Sequence, residues 1–340
     1  MQIAFMAFQG AEDDGIYYQH TQNYTPNNGY TYYEAFISDR VGVIGFGTST
    51  RPALLQVGNT MLMAWKGIVN DGAIWMSKYI ANPSVAAPFS GLSVTPAEAG
   101  WTNNLAIVGP GNDPMPHTSF GPSLANWNNT AIMVWHAAGN DNSIWYGIFD
   151  ANLSNQIAQF PTGINSEFTP AIVNFAGTLI MVWRGEGSDD ALYWATSQDP
   201  NVWYHHGAIP GAGSSFVPSL TVFNGQVFLA FKGVGNDTSI YMSQIVNVGL
   251  LPSNTASWVY RWNVPGIGTS TGPSLCLLNS QLFMSWKGDP GDTAIWYSSS
   301  PTGAQNSWAP QQTLGNGPPS DPQSLNYGSS IGPAVATFSA

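Results

Sequence analysis

Of only eight basic residues in this chain of 340, four stand at one place in a repeated phrase: Lys66, Arg184, Lys232 and Lys287. His136 and Gln9 hold that place in two further copies. Each follows a Trp or Phe that closes an apolar run, and an acid comes six residues after the aromatic: Asp14, Asp71, Asp141, Asp189, Asp237 and Asp292. A second aromatic stands opposite if the turn between is symmetric: Trp75, Trp145, Tyr193, Tyr241 and Trp296. A carboxylate accepts hydrogen bonds, a cation donates them, and an aromatic face packs on C–H groups. That set suits a hydroxyl-rich ligand. It also suits a plain turn device, with Asp accepting backbone N–H bonds and pairing the cation across the hairpin mouth. Both readings stand at this level.

The elements that must position these residues follow from the same alignment. The phrase recurs six times, centred on Phe8, Trp65, Trp135, Trp183, Phe231 and Trp286, at a period of roughly 50 residues, the mark of a repeat architecture. Ahead of the internal copies stands a proline (Pro52, Pro122, Pro170, Pro218, Pro273), and before it a Ser-rich turn. After the proline come a strand such as SLTVF at Ser219, an Asn224-Gly225 turn, a second strand QVFLAFK, the Gly/Asp turn and a third strand. A looser fourth strand is marked by Trp101, Trp203, Trp258 and Trp308. Four short antiparallel strands, repeated, make one propeller blade. The last residues hold a Ser turn, Pro333 and a first strand, while the first residues open on a second strand. The expected fold is therefore an all-β six-bladed propeller, one domain over 1–340, its ring closed by a C-terminal strand that completes the N-terminal blade. Segments 20–48, 81–118 and 309–330 read as extended loops.

Strand alternation separates core from rim. Met61, Met63 and Trp65 share one face of their strand and Lys66 lies on the other. The Trp65-type residues read as filling between blades. The Gly/Asp turns and the Ser-x-x-Pro loops lie on one rim of such a blade. Ser49, Ser119, Ser215, Ser270 and Ser330 are thus expected beside the basic and acidic residues, with Glu167 at the matching place in the remaining blade.

Composition narrows the function. Charged residues are 8% of the chain and the net charge is −11, with no basic run, which argues against a nucleic-acid partner. No segment approaches the length of a membrane span. Cys276 is the single cysteine, so an intramolecular disulfide and a Cys-based zinc site are excluded. His205-His206 alternates faces on a strand and makes a poor chelate, so no metal or cofactor is expected. The start, MQIAFMAFQG, has no signal-peptide pattern, which favours the cytoplasm or release without a classical signal.

The W-K-G-x-x-x-D-x-x-I-W/Y phrase and the T-S-x-x-P loop, over the whole chain, resemble those of the six-bladed β-propeller lectins of mushrooms and some bacteria. That resemblance implies a multivalent, non-catalytic, disulfide-free protein that binds terminal sugars of glycans or glycoproteins. N-acetylglucosamine is the expected sugar, because the phrase differs from the shorter repeat of fucose-binding propellers; fucose is the second candidate. The carbohydrate-binding set is Lys66, Asp71, Trp75, His136, Asp141, Trp145, Arg184, Asp189, Tyr193, Lys232, Asp237, Tyr241, Lys287, Asp292 and Trp296 with the five serines. The blades at Phe8 and Trp135 depart most from the phrase. Two other readings remain: a propeller glycosidase with one axial site, its acids drawn from Glu34, Asp39, Glu98, Asp113 and Glu167, and a protein-interaction scaffold using the long loops.

Overall fold

The computed structural model describes residues 2–24, 32–35, 41–80, 100–102, 105–107, 117–150, 156–247, 257–259, 261–314 and 328–339. The blade built on Phe231 shows how the sequence makes its unit. Pro218 ends the lead-in loop and Ser219–Phe223 runs as the first strand. Asn224 and Gly225, at φ of 48° and 68°, reverse the chain so that Phe223 faces Gln226. Positive φ at both central residues gives the mirror-image turn whose twist suits a hairpin, and Asn-Gly tolerates it. Gln226–Lys232, Ser239–Val246 and Trp262–Gly268 complete the sheet as second, third and fourth strands.

Five other blades repeat this order. Blade 2 comprises Ala53–Val57, Thr60–Lys66, Ile74–Ile80 and Leu105–Ala106. Blade 3 comprises Ser123–Trp127, Thr130–His136, Ser143–Phe149 and Gln156–Asn165. Blade 4 comprises Ala171–Phe175, Thr178–Arg184, Ala191–Asp199 and Val202–Gly213, the Phe231 unit is blade 5, and blade 6 comprises Ser274–Leu278, Gln281–Lys287, Ile295–Ser300 and Gln312–Thr313. Blade 1 is shared between the two ends. Its first strand, Ala334–Ser339, pairs antiparallel with Gln2–Gln9, followed by Gly15–His20 and Val41–Gly47. The six first strands touch in a closed circle around the axis.

The core lies between blades rather than within them. Six buried clusters fill the six gaps, each drawing on two neighbouring blades. Met61, Met63 and Trp65 face blade 1 and join the cluster of Phe5, Phe46 and Phe338; Leu62 and Ala64 face blade 3 and join Met133 and Trp135. Second strands buried on both faces explain why they read as near-continuous apolar runs. At about 25 cal/mol per Å² and about 150–250 Å² per aromatic side chain, each such Trp contributes roughly 4–6 kcal/mol of gross burial. Cys276 is buried in the gap between blades 6 and 1.

Two details differ from the sequence reading. Trp308 lies outside any strand, ahead of the fourth strand Gln312–Thr313. Trp101 and Trp258 sit in two-residue strands that pair with the far end of the third strand, because the chain leaves and rejoins the sheet there. Much of the segments 20–48, 81–118 and 309–330 lies outside the described residues, as do Asp39, Glu98 and Asp113.

Candidate functional site

Register places each aromatic of the second strand directly opposite that of the third: Trp65 and Trp75, Trp135 and Trp145, Trp183 and Tyr193, Phe231 and Tyr241, Trp286 and Trp296. One residue beyond the second-strand aromatic, the side chain turns over to the other face and meets the rim. There the lysines are sequestered. Lys66 Nζ donates to Ser49 Oγ at 2.9 Å and to the carbonyls of Asp71 (3.1 Å) and Ile68 (3.3 Å). Lys232 reaches the carbonyls of Gly235 (2.9 Å) and Asp237 (3.0 Å), with Ser215 Oγ at 3.4 Å. Lys287 reaches Ser270 Oγ (2.8 Å) and the Asp292 carbonyl (3.0 Å). Burial lowers the pKa of all three ammonium groups, and the nearby Asp charge partly offsets it.

The serines complete this inner layer. Ser49, Ser215 and Ser270 each donate to the carbonyl of the Gly that follows the basic residue, at 3.1, 2.8 and 2.8 Å. The loop before the first strand is thereby stitched to the turn after the second.

The acids form an outer layer. Oδ1 of Asp71, Asp189, Asp237 and Asp292 accepts from the backbone N–H two residues on, at 2.8–3.0 Å. Oδ2 accepts from the tip of the third-strand aromatic: Trp75 Nε1 at 2.8 Å, Tyr193 hydroxyl at 2.8 Å, Tyr241 hydroxyl at 2.9 Å and Trp296 Nε1 at 2.8 Å. Each carboxylate is fixed by two bonds and keeps lone pairs free, since an ionised carboxylate offers about four acceptor positions. The Asp and aromatic residues are half-buried or exposed, whereas Lys66, His136, Arg184, Lys232 and Lys287 are buried. Burial alone would raise the Asp237 pKa; bonds from Ser239 and Tyr241 and the Lys232 charge outweigh it and hold it below the usual value. The bond to Asp237 and partial burial raise the Tyr241 pKa.

A direct ion pair of lysine and aspartate across the turn, one expectation from the spacing, is not what forms. The lysines take the main-chain carbonyl of the acid instead. The two ion pairs among the described residues belong to Arg184, whose Nη2 lies 2.5 Å from Asp190 and whose Nη1 lies 3.9 Å from Glu167. Arg184 has a longer, forked head that donates to the Gly187 carbonyl at 2.9 Å and also reaches the next acid along. Glu167 also caps the Gly187 N–H at 2.9 Å.

Blades 1 and 3 depart, for local reasons. In blade 1 the turn is one residue shorter, so Asp13 takes the clamping place, accepting from the Gly15 N–H and the Tyr17 hydroxyl, and Asp14 pairs with Gln9 Nε2 at 2.9 Å. Ser330 donates to Gln9 Oε1 at 2.6 Å. In blade 3, Trp145 Nε1 donates to Ser143 Oγ at 2.9 Å and Asp141 holds the Ser143 N–H, so the acid and indole are not joined. Ser119 there accepts from the Gly139 N–H, and His136 Nδ1 sits 2.5 Å from the Ala137 carbonyl.

The basic position carries a further pattern in blades 3, 4 and 5. Phe120, Phe168 and Phe216, next after the loop Ser or Glu, cover His136, Arg184 and Lys232, with ring distances of 5.1, 5.4 and 5.7 Å. Sequence reasoning missed these rings, although the Ser/Glu-Phe-x-Pro spelling of three loops was there to be seen. Among the described residues no three His, Cys, Asp or Glu side chains gather as a metal site.

No family model and no curated protein matches the chain. Solved structures do match. The fungal lectin of Aleuria aurantia, a six-bladed β-propeller with a novel mode of fucose recognition, superposes with a TM-score of 0.53 at 11% identity, covering 93% of this chain and 97% of that one. AofleA from Arthrobotrys oligospora gives a TM-score of 0.53 at 12% identity over 78% of this chain and 71% of that one. An exo-β-1,3-galactanase from Phanerochaete chrysosporium gives 0.46 at 13% identity, over 81% and 67%. At these identities the likeness is one of fold.

Proposed function

We propose that this chain is a multivalent carbohydrate-binding protein without chemistry of its own. The observation that carries the reading is the repeated outer layer, in which a fixed, ionised carboxylate with free lone pairs stands against a half-exposed aromatic ring. A pyranose offers the complement, hydroxyl donors on its rim and C–H groups on its face. The buried Lys or Arg and the loop serine hold the turn and supply positive charge behind the carboxylate. Blades 2, 5 and 6 carry the full arrangement, blade 4 carries it with Glu167 in place of the serine, and blade 1 repeats only the acid–aromatic clamp, with Asp13 and Tyr17 beside the neutral Gln9. Sites weak alone bind a glycan-bearing surface strongly when several engage together. Terminal N-acetylglucosamine is the preferred ligand and fucose the second, the latter being the sugar recognised by the Aleuria aurantia lectin. Synthesis in the cytoplasm, or release without a classical signal, is part of the same proposal.

The proposal takes binding over hydrolysis. Neither the mouth cavity nor the channel behind it has a carboxylate in its lining among the described residues. Glycoside hydrolysis ordinarily needs a pair of them flanking the bond. A glycan array tests the reading: capture of glycans ending in N-acetylglucosamine supports it, and an array with no bound glycan removes it in favour of the scaffold reading.

A further inference from the structure

The axis carries a single-copy feature that the repeat does not. On the rim where the Ser loops gather, a cavity of about 620 Å³ opens to solvent, over an axial channel lined by the first strands. One half of its wall is an aromatic arc. Phe120 and Phe168 lie 5.1 Å apart between ring centroids, and Phe168 and Phe216 6.5 Å. The other half-ring has Thr50, Thr271 and Ile331 at the same loop place.

Arg51 spans that other half, from the loop of blade 2 to blade 6. Its Nη1 donates to the carbonyls of Pro273 at 2.9 Å and Gly272 at 3.4 Å. Those bonds leave the Nε and Nη2 hydrogens without a partner in the described structure. Protein surrounds the guanidinium, yet it keeps some exposure to the cavity it lines. Burial lowers its pKa to about 10, so it stays charged at neutral pH. Among the described residues no carboxylate answers that charge. Both ion pairs among the described residues belong to Arg184, and no acid lines the cavity or the channel. The other cation in the wall, Lys66, is already tied to Ser49 and main-chain carbonyls.

A largely buried cation without a counter-charge is unfavourable. A strut that merely tied two blades together would need no charge. The chain has 19 acids and a net charge of −11, yet among the described residues none lines this place. We propose that the axial mouth is a one-copy binding site for a monocarboxylate with an apolar or aromatic body. The carboxylate takes the free Nε–Nη2 edge of Arg51, the edge suited to two parallel hydrogen bonds. The body lies against Phe120, Phe168 and Phe216. The cavity volume falls in the range of small-molecule sites, roughly 300–1,000 Å³. The site shares Ser49, Lys66 and Ser119 of its wall with the inner layer of the rim but uses none of the acid–aromatic clamps of the outer layer.

The test is a fluorine NMR titration of the intact chain with 4-fluorophenylacetate, with 4-fluorophenylacetamide as the neutral isostere. One site per chain is expected, with the acid bound at least about tenfold more tightly than the amide, as charge-assisted hydrogen bonds require. Arg51→Gln is expected to remove that preference, and Phe216→Ala to weaken both probes while keeping it. N-acetylglucosamine is expected not to displace the acid. Thermal unfolding of each variant shows whether it is folded, and if Arg51→Gln is not, the acid–amide comparison on the natural chain and on Phe216→Ala decides. Equal binding of acid and amide, full affinity in a folded Arg51→Gln, or no line broadening at about 10 mM probe, where even a weak fragment registers, would overturn the proposal.

Discussion

Lys232 donates to the main-chain carbonyl of Asp237 at 3.0 Å and not to its carboxylate. That choice divides the rim in two. The cation serves the backbone of the turn, and the carboxylate, held by the Ser239 N–H and the Tyr241 hydroxyl, is left turned toward solvent. Under the proposed function, stability and recognition fall to different members of a pair that sequence spacing treats as one.

Lys232→Met separates the two roles. It removes one donor to the Gly233, Gly235 and Asp237 carbonyls, of which Gly233 keeps the Ser215 hydroxyl, and losing hydrogen bonds from a charged group costs about 1–3 kcal/mol. Urea unfolding is expected to show a loss of that order. An unchanged midpoint would place the lysine outside the turn's framework.

Gly272→Ala tests the packing of the axial loops. A Cβ there would overlap the Val217 carbonyl oxygen, so two backbones approach where no side chain fits. A loss of about 1–3 kcal/mol or more is expected, as for other overpacked sites. Equal stability of the variant in thermal unfolding would mean the loops stand further apart than described.

Acid sensitivity follows from Asp141 and Asp237, whose pKa values are lowered in the fold. Between the folded values and the ordinary carboxylate value of about 4, the unfolded chain binds more protons, so stability rises with pH in that window. Their contribution is complete above about pH 4 and is lost as pH falls through the folded values. Asp237→Asn is expected to flatten the acid limb of a plot of urea midpoint against pH. A limb as steep as that of the natural chain would assign it to other groups.

Ring closure is tested by removing residues 334–339. The strand Ala334–Ser339 pairs with Gln2–Gln9 and buries Val335 and Phe338. Without it blade 1 loses its inner strand and the circle gains two open edges. Loss of the cooperative melt and of the near-ultraviolet circular dichroism is expected; a sharp, unshifted transition would show that the ring does not rely on this closure.

What the sequence disclosed was what repeats. The Trp65–Trp75 register, the proline before each first strand and the division of blade 1 between the ends could be read from periodicity, because each is forced by alternation and turn length in several copies. Spacing cannot tell a carbonyl acceptor from a carboxylate, so an ion pair of lysine and acid stands in the sequence as one of two open readings. It also counted six residues from Phe8 to Asp14, whereas the shorter turn hands the clamp to Asp13. Arg51 stayed invisible for a different reason. It occupies a loop place held by Gly121, Thr169, Val217, Gly272 and Gly332 in the other blades, and an alignment of repeats discards the single exception.

The central claim, repeated sugar sites on one rim, is tested most directly by calorimetric titration of the natural chain and of Asp237→Ala with N-acetylglucosamine. The account expects several weak sites per chain, and one fewer in a folded Asp237→Ala. A single tight site, no heat of binding, or the same number of sites in the variant would contradict it.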